Sequence, residues 1–184
     1  ASFGLGQAYE QRSKCARVFD YRMELTTELE TIGKLGFPPL TDQGYRDIGL
    51  ALDAYAKAAA SYPPYAGAYY RQGVLHFVSG RQAEARTALE RATTEERSSI
   101  PPAVLLAYVY LEDGNAQAAA AQIERIRSAS GDPANALILG ASAVLEFRNG
   151  RLDAAEAMLA QAVSGPDAPA YLYKMLGDVR LARG

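Results

Sequence analysis

The sequence predicts an all-α fold built from short antiparallel helix pairs stacked side by side, and three observations carry that prediction. Alanine, leucine, glutamate and arginine are abundant and tryptophan is absent, which is the chemistry of good helix formers. Gly80, Gly114, Gly150 and Gly184 fall 34, 36 and 34 residues apart, a beat expected of a repeated hairpin. Around each beat, small and large apolar residues return at fixed offsets. The stretch Tyr69 to Ala92 shows them most fully, with Gly73, Gly80, Ala85, Leu89 and Ala92.

The first element is read from Val18, Leu25, Leu29 and Ile32, with Phe19 and Met23 beside them. They recur at helical spacing and predict a helix over 13–34, continuing an earlier one over 2–12. Gly33, Gly36, Pro38 and Pro39 end it, because proline cannot continue a helix and restricts the residue before it. A second helix starts at Thr41 or Asp42, either of which can cap free backbone amides, and runs to Ala60. Its buried face is Ile48, Ala51, Leu52, Tyr55 and Ala58, and Ser61-Tyr62-Pro63-Pro64 stops it.

Helices then follow over 66–79, 82–96, 101–113, 116–128, 134–148, 152–163 and 168–182. Gly80, Gly114 and Gly150 each sit between two of them, in a turn that only glycine enters cheaply. The two extra residues of the middle interval belong to the loop Ser128 to Pro133.

The totals bound the function. A chain of 184 residues buries roughly 70% of its unfolded surface when compact, enough for a sizeable core. A formal charge of -2 without a basic stripe gives no general attraction for nucleic acid or anionic lipid. Cys15 is the only cysteine, so an intramolecular disulfide and a multi-cysteine zinc site are ruled out and the redox compartment stays open. No run reaches the roughly 18–20 apolar residues a membrane span needs, and the start does not read as a signal peptide. The chain opens and closes inside the repeat pattern, as a piece of a longer protein would.

Catalytic signals are weak. His76 is the sole histidine and reads as a packed side chain. Cys15 lies in a helical stretch and reads as a small buried or half-buried residue. Glu95-Glu96 and Glu112-Asp113 sit at helix ends, where solvated charges are ordinary. No phosphate-binding or nucleophile-elbow motif occurs. No catalytic residue, metal site or cofactor is expected.

The offsets resemble those of the tetratricopeptide repeat (TPR) family. In the first full unit the matching residues are Tyr69, Gly73, His76, Gly80, Ala85, Leu89 and Ala92. In the second they are Leu106, Ala107, Tyr110, Gly114, Ala119, Ile123 and Ile126, and in the third Leu139, Ala143, Gly150, Ala155, Leu159 and Ala162. Tyr173, Leu176, Gly177 and Gly184 form a final half unit. Residues 44–65 match only a second half, through Ala51, Tyr55, Ala58 and Pro63; a helix through Gly33, Gly36, Pro38 and Pro39 is not credible, so the repeat is degenerate there. Leu5 to Tyr9 also fits the Leu-Gly-x-x-Tyr pattern.

The resemblance implies a right-handed α-α superhelix of about three full repeats with flanking halves, over residues 41–184. Residues 1–40 would be a divergent N-terminal segment that caps, docks or oligomerises. It also implies a non-catalytic protein–protein scaffold, with the first helix of each pair lining a concave groove. By register the groove carries Tyr70, Val74, Phe77, Tyr108, Leu111, Val144, Phe147, Tyr171 and Lys174. Such an apolar wall suits an amphipathic helix or extended peptide of a partner protein. Tyr70, Phe77, Tyr108 and Phe147 are the expected anchors, and alanine at Phe77 and Tyr108 is expected to lose the partner while keeping the helical signal.

Two occupants remain open: an external partner, or the chain's own N-terminal helix or a second copy in a structural, oligomeric module. Bacterial relatives of this kind commonly serve envelope machines for secretion, pilus assembly or exopolysaccharide export. The excess of arginine (15) over lysine (4) fits a GC-rich bacterial source.

Overall fold

A computed structural model of the protein describes residues 2–13, 41–61, 65–165 and 168–184. Nine helices are present among these residues, and no strand. They are α1 (Ser2–Ser13), α2 (Asp42–Ala59), α3 (Ala66–Val78), α4 (Gln82–Glu95), α5 (Ile100–Glu112), α6 (Ala116–Ala129), α7 (Ala136–Arg148), α8 (Leu152–Ala162) and α9 (Ala170–Arg183). From α2 onward the bounds agree with the predicted ones to within two residues. The helix expected over 13–34, with Cys15 and the terminators Gly33, Gly36, Pro38 and Pro39, lies outside the described residues except for Ser13, which closes α1.

The local reasons are those the sequence carried. Thr41 caps α2, its hydroxyl accepting from the Gly44 amide at 3.1 Å. Asn115 and Asn135 cap α6 and α7 in the same way. Proline stands in the first turn of α5, where an amide would be unsatisfied anyway. Each hairpin glycine closes one repeated motif. Gly80, Gly114 and Gly150 have φ of 73°, 73° and 74°, and the residue after each donates its amide to a carbonyl five residues back. Those bonds run from Arg81 to His76, Asn115 to Tyr110 and Arg151 to Glu146. This is a Schellman ending, which satisfies the last carbonyls of the helix while reversing the chain.

The described residues form two compact units, one up to Arg97 and one over Ser98–Gly184. In the first, α1 packs on α2, α2 on α3, and α3 on α4. Its core is Ile48, Ala51, Tyr55, Ala58, Ala59, Ala68, Leu75 and Val78, with Phe3, Tyr9, Leu52 and Tyr69 against it.

The α1–α2 pair repeats the joint of α3–α4. A methyl group built on Gly73 would stand 2.5 Å from Leu89 Cγ; one on Gly6 would stand 2.6 Å from Tyr55 Cε1. In both pairs a missing side chain on the first helix lets a large residue of the second sit against its backbone. The half repeat expected at residues 44–65 is thus completed by α1, through Leu5-Gly6-x-x-Tyr9.

In the second unit, α5–α6 and α7–α8 are the closed hairpins, and α9 packs on α8. Helix α7 also lies against α5 and α6. The recurring positions are sealed: Ala85, Ala119 and Ala155 are each 0% exposed, and Leu89, Ile123 and Leu159 at most 3%. Gly140 meets Leu172 of α9, whereas Gly177 faces open space.

Candidate functional site

The expected groove residues fall on the first helix of each pair. In the first unit they are Tyr70, Val74 and Phe77 of α3. Phe77 is fully buried, Val74 is 6% exposed and Tyr70 is half-buried. Burial raises the Tyr70 hydroxyl above its ordinary pKa; Arg71 pulls it down and Glu10 pushes it up. The Arg71 guanidinium lies 5.8 Å from the Tyr70 ring centre.

Beside Tyr70 is a polar node that the sequence reading did not identify. The Glu10 carboxylate accepts from the Tyr55 hydroxyl at 2.5 Å and from Arg71 Nη1 at 3.1 Å. Further along α1, Arg12 binds Asp47 through Nε at 2.9 Å and Nη2 at 2.5 Å, and Gln43 adds a third hydrogen bond at 2.9 Å. The Arg12 hydrogen bonds hold the Asp47 carboxyl below its ordinary pKa, against the opposing effect of burial, with Gln43 helping. The signal for this node was the Leu5 to Tyr9 match, which places Glu10 and Arg12 on the helix that covers Tyr55.

In the second unit Tyr108, Leu111 and Val144 are at most 1% exposed, Phe147 and Tyr171 are half-buried, and Lys174 is exposed. Lys174 pairs with Asp178 at 2.9 Å. Tyr108, Arg148 and Tyr171 gather α5, α7 and α9 around one point. The Arg148 guanidinium donates to the Leu111 carbonyl at the end of α5. Burial lowers its pKa, while Glu112 and Tyr108 raise it. The buried Tyr108 hydroxyl has no hydrogen-bond partner among the described residues; burial, and then Tyr171, push its pKa well above the ordinary value, with Arg148 opposing.

The structure thus separates the expected residues into two groups. Tyr70, Phe147, Tyr171 and Lys174 keep free surface. Val74, Phe77, Tyr108, Leu111 and Val144 are buried, and a partner gains more than a margin of them only where chain atoms over them move. Alanine at Phe77 or Tyr108 therefore removes fully buried core, so a loss of stability accompanies any effect on a partner.

His76 is half-buried, and its Nδ1 is buried without a partner among the described residues. Burial first, then Arg81, lowers its pKa, so the imidazole is held in its neutral form; Glu84 opposes this. Among the described residues no group of three or more His, Cys, Asp or Glu side chains could hold a metal ion. No helix among them is long and apolar enough to cross a membrane.

The sequence matches the tetratricopeptide repeat family over residues 46–99 and 104–170. A comparison with curated proteins finds no match. Among solved structures the fold is similar to the crystal structure of a thermophilic TPR protein of Thermus thermophilus. The TM-score is 0.62 at 20% sequence identity, covering 98% of this chain and 100% of that one. TPR chains are in general non-catalytic repeat scaffolds for protein–protein interaction. The match begins at Arg46, inside α2, so α1 lies outside the matched residues. With its hairpins closed by a repeated glycine turn and its small residues seated under large ones, this chain belongs to the tetratricopeptide repeat family.

Proposed function

We propose that the protein is a non-catalytic scaffold that holds a peptide or helix of a partner protein against the first helices of its repeats. The observation that carries this is the pair of part-exposed aromatic side chains on first helices of the second unit: Phe147 on α7 and Tyr171 on α9. Rigid aromatic side chains that are partly buried already have little conformational entropy left to lose on binding, which is why they dominate interface energies. Lys174, in an ion pair with Asp178, stands on the same helix as Tyr171. A place within a bacterial envelope assembly for secretion, pilus or exopolysaccharide export is the cellular setting that the family resemblance suggests.

The test is photo-crosslinking in cells from positions 147 and 171, followed by binding of the identified partner to purified protein. Phe147→Ala and Tyr171→Ala are expected to weaken that binding by about tenfold or more each, the effect of losing an interface anchor, with an unchanged helical signal. Crosslinks no more frequent there than at Ala121, exposed on the second helix of its pair, would refute the reading.

A second reading is an inner face filled from within, by the chain's own N-terminal segment or a second copy. It is supported by the burial of Val74, Phe77, Tyr108, Leu111 and Val144. Under it the crosslinks from 147 and 171 fall within the chain or between copies.

A further inference from the structure

One face of α4 differs from its counterparts. Arg81, Glu84, Ala88, Arg91 and Glu95 follow one another at intervals of three or four residues, which places them in a single stripe. The order along it is positive, negative, small, positive, negative. All four charged residues are exposed. Among the described residues none of them makes a side-chain hydrogen bond or ion pair; Arg91 lies over the Tyr69 ring, 5.8 Å from its centre.

Beside the stripe runs an open cleft of about 450 Å³, lined by Tyr69, Gln72 and His76 of α3 and by Glu84, Thr87 and Arg91 of α4. The unpartnered His76 Nδ1 is on its α3 wall. Counted from their own turn glycines, the positions equivalent to Arg81, Glu84, Arg91 and Glu95 are Asn115, Ala118, Arg125 and Ala129 on α6. On and just beyond α8 they are Arg151, Ala154, Gln161 and Gly165. Neither of those helices carries the alternation.

A stripe of this order is complementary to itself when reversed. We propose that a second copy of this chain lays its α4 antiparallel along this face, about a two-fold axis through Ala88. Glu84 then faces the partner's Arg91, Arg81 faces the partner's Glu95, and each pair occurs twice, as an isologous contact requires. The spacing fits: Glu84 and Arg91 are two turns apart, about 10.5 Å along the axis, too far to satisfy each other. Ala88, 8% exposed, leaves the centre low enough for two helices to approach. Exposed ion pairs contribute little each, so the dimer is a weak one that forms as protein concentration rises and dissolves in salt.

The experiment is sedimentation velocity on the whole chain with Glu84→Arg and Arg91→Glu variants, circular dichroism confirming the fold. The wild type is expected to show a concentration-dependent monomer–dimer equilibrium that salt weakens. Each single variant places like charges opposite each other twice and is expected to dimerise at least ~10-fold more weakly. Mixing the two variants puts two positive residues against two negative ones and restores a one-to-one dimer that neither forms alone. A wild type that stays monomeric up to millimolar protein overturns the proposal. So does a dimer indifferent to both substitutions, or a mixture that fails to pair.

Discussion

The two helix pairs of the first unit share a joint and differ in how they are closed. In α3–α4 the chain turns at Gly80 through backbone hydrogen bonds, and Leu89 fills the space over Gly73. In α1–α2 Tyr55 fills the space over Gly6, but Ser13 and Asp42 stand far apart in the sequence. Side chains hold this pair together, Arg12 on Asp47 and Glu10 on Tyr55, and Glu10 also ties α1 to Arg71 of α3. A repeat is therefore defined by its packing joint rather than its turn. The two closures also respond differently to conditions. Backbone bonds in a glycine turn are indifferent to pH, whereas a carboxylate latch titrates and is screened by salt.

The largest test of the shared joint removes the residue that fills it. Leu89→Ala and Tyr55→Ala are each expected to lose about 2–5 kcal/mol, since both side chains are fully buried and leave a cavity. Urea unfolding measures this; a much smaller loss at Tyr55 would mean that α1 is not an equal member.

The opposite test overfills the joint. Gly73→Ala and Gly6→Ala gain up to about 1 kcal/mol of helix propensity but force a methyl group into Leu89 or Tyr55, an overpacking cost of about 1–3 kcal/mol, so a net loss is expected. Gly177→Ala is the control. Nothing lies within 4 Å of the added group, so only the gain remains, and its melting temperature should rise.

A change confined to the latch comes next. The Asp47 carboxyl lies below its ordinary pKa when folded, so its stabilising contribution is complete above the unfolded value of about 3.9 and is lost as pH falls through the lower folded value. The amide protection factors of residues 2–13, each rate taken relative to the unprotected rate at the same pH, should fall in acid and in Asp47→Asn at neutral pH, while α3–α4 keeps its protection. An equal fall in both pairs would erase the difference between the closures.

The smallest effect is expected in the second unit. Tyr108→Phe removes a buried hydroxyl that has no partner among the described residues, so stability should hold or rise by up to about 1 kcal/mol. A clear loss would reveal a partner for that hydroxyl.

The helices from Asp42 to Arg183 were legible in the sequence because their causes are local. Pro63 and Pro64, the cap at Thr41, the glycines at 80, 114 and 150 and the small–large offsets each act within a few residues. Which face of each first helix a residue sits on was legible as a register, since Tyr70, Phe147 and Tyr171 lie on first helices as expected. The exposure of that face was not: Phe77 and Tyr108 carry the same register signal as Phe147 and yet have no free surface. Register reports which way a side chain leaves its helix, not what lies over it.

Periodicity, capping and the left-handed turns are properties of consecutive residues, so the sequence by itself determined the all-α class, the repeat length and the helix ends. Only the tertiary structure decided that α1 completes the first repeat, that Glu10 and Arg12 latch it, and which aromatic side chains keep surface to offer. Those outcomes depend on contacts between residues as distant as Glu10 and Arg71. Such contacts are set by packing across the fold, which one stretch of sequence does not record.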